Sequence, residues 1–154
     1  MPLPILALRE LPLSDWAVRR DAAVLEARDA LFQSGLSAVA IVDDDRQVVG
    51  LFTEDDLLAA LFPRYLRELR HTAFAGDDPS VLAAAADRAA ADAVERHMRK
   101  PVTLAISSSA THAAEVFLHC EWGTLAVIEE GRFVGMLSQL DFCRALVRRL
   151  AAAS

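Results

Sequence analysis

Two short patterns place a hydroxyl residue three positions before an aspartate, where a strand is predicted to give way to a helix. One is Thr53-x-x-Asp56 and the other is Ser138-x-x-Asp141. A helix amino terminus offers free N–H groups and the positive end of a dipole to an anion. The hydroxyl adds a donor for phosphate, and a carboxylate one turn further on accepts hydrogen bonds from two neighbouring ribose hydroxyls. Together these groups suit a nucleotide better than a metal ion or an acyl substrate.

The same patterns have a simpler interpretation as helix caps. A hydroxyl residue at the N-cap and an acid three residues later form a capping box, which needs no ligand. The duplication does not decide between the two, because a repeated fold repeats its caps. A ligand is favoured by the glycines that precede the hydroxyls, Gly50 and Gly135, since glycine allows a planar base to approach the backbone closely. Both interpretations stay open at this point.

The chain repeats itself after about 85 residues, and the register extends through strands, helices and turns alike. Each copy predicts the order strand, helix, strand, strand, helix, with first strands at Trp16 to Arg19 and at Val102 to Ile106. The two middle strands are apolar on both faces and must be covered on both. One copy has too little mass for that. We therefore predict an α/β (α+β) fold in which two βαββα repeats pack as a pseudo-twofold pair.

The repeat also defines the predicted domain organisation. Residues 1–13 are an N-terminal extension, 14–62 the first repeat, 63–97 a helical connector, 98–150 the second repeat and 151–154 a tail. Within the connector, Pro63 ends the preceding helix, and helices are predicted at Tyr65 to Thr72 and at Ser80 to Met98.

Composition excludes several classes of function. The 154 residues carry a formal net charge of −6, which argues against a nucleic-acid partner, since such binding needs a basic footprint. No stretch reaches the roughly 18 apolar residues of a membrane span, and the amino terminus is a poor signal peptide. Cys120 and Cys143 follow no disulfide or metal spacing. A cytoplasmic protein without a membrane partner is predicted.

Catalysis finds little support in the sequence. Nucleophile-elbow, Walker and dinucleotide-binding glycine patterns are all missing from the chain. His112 and His119 lie seven residues apart, but no third metal ligand is evident. No catalytic residue and no metal site are predicted, and the chain is not expected to be an enzyme.

The two copies resemble a tandem pair of cystathionine-β-synthase (CBS) domains, also called a Bateman module, as found in stand-alone CBS domain-containing proteins. The resemblance runs from about Ser14 to Leu150. It rests on four stretches and on the approach to the second copy: Gly35 to Asp43, Gly50 to Asp56, Gly123 to Glu129, Gly135 to Asp141, and His97 to Thr103.

The resemblance implies ligand-contacting residues, position by position. Asp56 and Asp141 would hold ribose, and Thr53 and Ser138 would lie near phosphate. The remaining members of the implied ligand-binding set, the first two of them beside adenine, are Ala38, Thr124 and Thr103.

The resemblance also implies a role. It is that of a regulatory, ligand-sensing module that binds an adenosine-containing nucleotide in clefts between the repeats. AMP, ADP or ATP is expected, with S-adenosylmethionine and NAD ranked below, and no obligatory cofactor. The module would form a homodimer and signal by a change of shape to an unknown protein effector in trans. The alternative is a dimerisation or interaction module whose nucleotide sites are vestigial.

The two predicted sites are not equal. Glu54 and Asp55 add negative charge at the start of the first helix, which opposes phosphate, whereas the matching positions of the second copy are neutral. In addition, the basic pair Arg99-Lys100 lies at the entry to the second copy. The site at Asp141 is therefore ranked above the site at Asp56 for a phosphorylated ligand.

Overall fold

The computed structural model describes residues 6–62 and 79–154, so the predicted helix at Tyr65 to Thr72 lies outside the described residues. The first repeat consists of β1 (Ala17–Arg19), α1 (Val24–Ser34), β2 (Ala38–Val42), β3 (Val48–Thr53) and α2 (Glu54–Leu61). Helix α3 (Pro79–Ala91) precedes the second repeat. That repeat consists of β4 (Thr103–Ala105), α4 (Ala110–Leu118), β5 (Thr124–Glu129), β6 (Arg132–Ser138) and α5 (Gln139–Ala152). The predicted βαββα order is confirmed in both copies.

Each repeat forms its own three-stranded sheet with the same pairing. The first and second strands run parallel, and the second and third run antiparallel, in the orders β1-β2-β3 and β4-β5-β6. Both antiparallel pairs shift register at the equivalent place, after Ile41 and after Val127. The parallel connection in each repeat is made by one helix, as a short crossover between parallel strands requires.

The apolar residues form three layers. One cluster packs α1 and α2 on the outer side of the first sheet, and another packs α4 and α5 on the outer side of the second. The third lies between the two sheets and includes Ala40, Leu51, Ala126 and Met136, none of them more than 1% exposed. Because both faces of each sheet are covered, the apolar middle strands are buried as their sequences predict.

The segments that lead into the repeats cross from one repeat to the other. Residues 8–16 form the first crossing segment and residues 94–102 the second, and each starts with a 3-10 turn, Leu8–Glu10 or Val94–Arg96. Ser14 then pairs through two backbone hydrogen bonds with Met136 of the second repeat. Arg99 pairs in the same way with Leu51 of the first repeat. The two repeats are thereby joined by an exchange of segments as well as by the buried layer between their sheets.

Helix α3 ends earlier than its composition predicts. The predicted helix from Ser80 to Met98 starts one residue sooner, at Pro79, and stops at Ala91. The reason is the pairing of the following backbone with the start of α1, in which Val24 N–H donates to the Asp92 carbonyl and Val94 N–H donates to the Ala22 carbonyl. Hydrogen bonds to another segment replace those that would continue the helix. The predicted end at Met98 is therefore wrong.

Candidate functional site

The amino terminus of α2 is closed by a complete capping box. Thr53 Oγ1 accepts from Asp56 N–H at 3.2 Å, and Thr53 N–H donates to Asp56 Oδ2 at 2.9 Å. The Thr53 hydroxyl also donates to Asp56 Oδ2 at 2.9 Å. Thr53 is only 1% exposed, since it ends the buried strand β3. The capping box that the sequence predicts is thus present in the first repeat. Its hydrogen bonds occupy one oxygen of the Asp56 carboxylate.

A guanidinium group donates to both oxygens of that carboxylate. Arg99 donates from Nε to Asp56 Oδ2 at 2.9 Å and from Nη2 to Asp56 Oδ1 at 2.8 Å. The side chains of Asp56 and Arg99 are 13% and 29% exposed. The hydrogen bond to Asp56 raises the pKa of Arg99 above its ordinary value. Such a two-point pair in a partly buried place is stronger than a surface ion pair.

Trp122 holds the same guanidinium from the other side. The Arg99 guanidinium carbon lies 4.9 Å from the centre of a Trp122 ring, within the range of a cation–π contact. Trp122 comes from the turn before β5, so both repeats and the second crossing segment contribute to this arrangement. We call Asp56, Arg99 and Trp122 the first cleft. Two neighbouring ribose hydroxyls could hydrogen-bond to both oxygens of Asp56 there only by displacing Arg99.

The amino terminus of α5 is more open. Ser138 accepts from Asp141 N–H at 3.1 Å, so it caps the helix as predicted. The Asp141 carboxylate is 32% exposed, and its one salt bridge within the described residues is a long contact of 3.4 Å with Arg144. It has acceptor capacity left for a ligand, in contrast to Asp56.

The difference between the two clefts follows from the crossing segments. Arg99 pairs with Leu51 in the first repeat, and the residue that pairs with the equivalent Met136 is Ser14. Counted back by the repeat offset, Leu36 stands where the other cleft has Trp122. The second cleft therefore lacks both the crossing-segment guanidinium that covers Asp56 and the indole that contacts this guanidinium.

A basic groove extends from Asp141 along α5. It lies between this helix and the first crossing segment, and it is lined by Asp141, Arg144, Arg148, Arg149, Leu11 and Pro12 among others. Arg149 is paired with Glu10 across the groove. An anionic group bound beside Asp141 would meet two further arginines on the same helix. These arginines were not singled out from the sequence, although their spacing of four residues, at 144 and 148, signals one helix face.

The residues expected beside adenine lie inside the molecule. Ala38 pairs with Thr53 across the first sheet, and Thr124 pairs with Ser138 across the second. Ala38 and Thr124 are 0% and 2% exposed. The Thr124 hydroxyl lies 2.7 Å from the Ser37 hydroxyl of the other repeat. Thr103 is half-buried and pairs with Ala126. The structure therefore places Ala38 and Thr124 next to the predicted phosphate-side hydroxyls, but with their side chains in the layer between the sheets.

Gly50 and Gly135 are the positions at which the crossing segments pack closely against the third strand of each repeat. A Cβ at Gly50 would lie within 3 Å of the Met98 side chain, and a Cβ at Gly135 would lie within 3 Å of Leu13. Both neighbours belong to the crossing segments. The space on the Cβ side of each glycine is filled by the chain itself, so close packing of the crossing segments requires glycine at both positions.

The position of Arg99 differs from the one that the sequence predicts. Its place at the entry to the second copy predicts a contribution to the site at Asp141. In the fold, the crossing segment carries it onto the first repeat, where it meets Asp56. The repeat itself indicates that the two clefts differ. It aligns Arg99 with Ser14, so a charge at this position is present in one copy and missing from the other.

The described residues contain no arrangement typical of a metal site. No three histidine, cysteine or acidic side chains among them converge as metal ligands do. None of the helices in the same part of the chain is long and apolar enough to cross a membrane.

Two three-stranded sheets joined by crossing segments, each followed by a capped helix, define a paired α/β module. The family model for the CBS domain matches residues 8–63 and 91–148. The chain belongs to the CBS domain family and contains two copies of the domain. No curated protein sequence matches this chain.

Solved structures of CBS-domain proteins share the fold at low sequence identity. CBSX2 from Arabidopsis thaliana is 18% identical with a TM-score of 0.72, covering 94% of this chain and 96% of that one. A CBS domain-containing protein of unknown function from Kribbella flavida is 16% identical with a TM-score of 0.73, covering 92% and 97%. A structure of CBSX2 in complex with AMP is 18% identical with a TM-score of 0.66, covering 92% and 96%.

Proposed function

We propose that this chain is a regulatory module that binds an adenine nucleotide in the cleft beside Asp141. The observation that carries the proposal is the unequal state of the two carboxylates. Asp56 is fully engaged by Thr53 and Arg99, whereas Asp141 is 32% exposed and has only one long ionic contact within the described residues. One nucleotide per chain is expected.

The chemistry of the second cleft suits the parts of a nucleotide. Asp141 offers acceptors for two neighbouring ribose hydroxyls, and Ser138 lies at the helix amino terminus, where an anion is favoured. Arg144 and Arg148 add positive charge along the groove. Thr124 remains the proposed residue beside adenine in this cleft, as Ala38 is for the first cleft, and Thr103 remains a further proposed member of the ligand-binding set. AMP, ADP and ATP are the proposed ligands, and the AMP complex of a protein with this fold supports the choice.

Regulation requires that the nucleotide bind two shapes of the module with different affinity. The buried layer between the sheets is a suitable place for such a difference, because Thr124 joins the repeats there through Ser37. We propose that the module is a cytoplasmic homodimer and passes the change to a protein effector in trans. A catalytic role is not part of the proposal.

The alternative is an interaction module whose nucleotide sites are vestigial, and the Arg99–Asp56 pair favours it for the first cleft. A thermal-shift panel separates the two. A ligand that binds the native state raises the melting temperature by mass action. AMP, ADP or ATP at concentrations near millimolar is expected to raise it, whereas no shift with any of these, nor with S-adenosylmethionine or NAD, would support the interaction module.

A further inference from the structure

The basic groove beside Asp141 extends past the place of the proposed nucleotide. It follows α5 from Asp141 to Ala152, opposite the first crossing segment, and has a volume of about 450 Å³. Because a helix rises about 1.5 Å per residue, this length of helix corresponds to a groove of about 16 Å. The phosphate of the proposed nucleotide is expected at the other end, beside Ser138 at the helix amino terminus. Most of the groove therefore lies beyond the nucleotide.

The helix side of the groove is basic, although the protein as a whole is acidic. Arg148 makes no ion pair within the described residues, and Arg144 makes only the long contact with Asp141. Both arginines are exposed, and both lie before the last turn of α5. The chain carries a net charge of −6. A local charge of the opposite sign attracts and orients an anionic partner.

The opposite side of the groove is largely apolar. Leu6, Leu11 and Pro12 line it, and the two leucines are 6% and 7% exposed because they belong to the core of the second repeat. The third arginine of the groove, Arg149, lies in the last turn of α5, where a cation complements the helix dipole, and it is paired with Glu10. The groove thus combines a fixed apolar side with two arginines that keep donors for another anion.

We propose that the basic groove binds an acidic segment of a partner protein, with carboxylates on Arg144 and Arg148. The proposal rests on the protein effector proposed above and adds the place and the chemistry of its docking. The two arginines lie one helical turn apart, about 6 Å along the axis. Alternate side chains of an extended chain have nearly the same spacing, about 7 Å. An extended segment with an acidic residue at every second position therefore matches the arginines, and its intervening apolar side chains face Leu11 and Pro12.

Fluorescence anisotropy with labelled peptides tests the docking. The probe is a short fluorescein-labelled peptide in which Glu and Leu alternate, and its matched control alternates Lys and Leu. The unmodified chain is expected to bind the Glu probe saturably and several-fold more tightly than the Lys probe. Arg148→Glu should weaken binding of the Glu probe several-fold. Lys100→Glu makes the same change of charge at an exposed position outside the groove, and it should leave binding unchanged at a salt concentration that screens distant charges.

Amide NMR spectra of the unmodified chain supply a second measurement, which does not depend on any variant. Addition of the Glu probe is expected to shift the resonances of residues 6–12 and of α5 more than those of the first repeat.

The inference is overturned if the Glu probe fails to bind, binds no better than the Lys probe, or shifts mainly resonances outside the groove. Equal weakening by Arg148→Glu and Lys100→Glu would also overturn it. So would an Arg148→Glu chain that loses affinity for ATP but not for the Glu probe, because the groove would then belong to nucleotide phosphates. Calorimetric titration of AMP into the unmodified chain reports on the nucleotide proposal separately.

Discussion

The guanidinium of Arg99 covers both oxygens of the Asp56 carboxylate, at 2.9 Å and 2.8 Å, although the two residues belong to different repeats. The crossing segment that carries Arg99 pairs with Leu51 in the first repeat, so the contact is fixed by backbone hydrogen bonds as well as by charge. The equivalent Asp141 has Ser14 in place of this arginine. Two clefts built from one repeated motif thus offer different chemistry.

Removing Arg99 is expected to open the first cleft. In Arg99→Ala, the number of nucleotides bound per chain should rise from one to two, because Asp56 regains free acceptors. The change leaves a partly buried carboxylate without its partner, which costs about 1–3 kcal/mol of stability. Calorimetric titration measures the stoichiometry, and chemical denaturation measures the stability.

Lys100→Ala is the matched control, since it removes a neighbouring exposed cation of the same charge. It should leave the stoichiometry at one. An Arg99→Ala chain that still binds one nucleotide would show that Arg99 is not what closes the first cleft.

Added methyl groups at the two glycines should destabilise the fold by about 1–3 kcal/mol each, as overpacking does. Gly50→Ala meets the Met98 side chain beyond its Cβ, so its cost should fall when Met98→Ala is present. Gly135→Ala meets the Leu13 Cβ itself, which Leu13→Ala retains, so its cost should persist. Chemical denaturation of the two double-mutant cycles tests this contrast, and equal coupling in both cycles would contradict the packing described here.

Acid should weaken the attachment of the first crossing segment. The hydrogen bond and the charge of Arg9 hold the pKa of Glu129 below its ordinary value of 4.5. A carboxylate whose pKa is depressed in the folded state stabilises that state above the unfolded pKa and loses this contribution as pH falls through the folded pKa. An NMR titration of the Glu129 carboxyl should therefore give a pKa below 4.5.

The Arg9→Gln chain should return the Glu129 pKa to its ordinary value, whereas Arg148→Gln, on a different element, should not change it. A Glu129 pKa at or above 4.5 in the unmodified chain would rule out the Arg9 contact in solution. Because Arg9 and Glu129 are exposed, the difference should also shrink at high salt.

The sequence was sufficient for the repeat, the order of elements and the helix caps at Thr53 and Ser138. Those features depend on hydrophobic periodicity and on residues three positions apart, which local patterns record. The Arg99–Asp56 pair was not predictable in this way, because it depends on a segment that crosses between repeats. The early end of α3 at Ala91 has the same cause, since its backbone pairs with residues far away in the chain.

For two residues of the candidate site, the prediction depends only on their alignment with the family and not on their surroundings in the fold. Ala38 and Thr124 align with ligand-contacting positions, yet their burial follows from the packing of two sheets that neither copy contains by itself. The preference for Asp141 over Asp56 remains a prediction. Its physical basis is now the coverage of Asp56 by Arg99, in addition to the negative charge of Glu54 and Asp55.

The central claim is that one nucleotide binds beside Asp141 and none beside Asp56. Calorimetric titration of AMP and ATP into the unmodified chain, Asp56→Asn and Asp141→Asn tests this claim most directly. The unmodified chain and Asp56→Asn should bind one nucleotide per chain with similar affinity. Asp141→Asn should lose about tenfold or more in affinity, as expected when a charged acceptor is removed from its hydrogen bonds. Equal losses in the two variants, or no binding of either nucleotide by the unmodified chain, would contradict it.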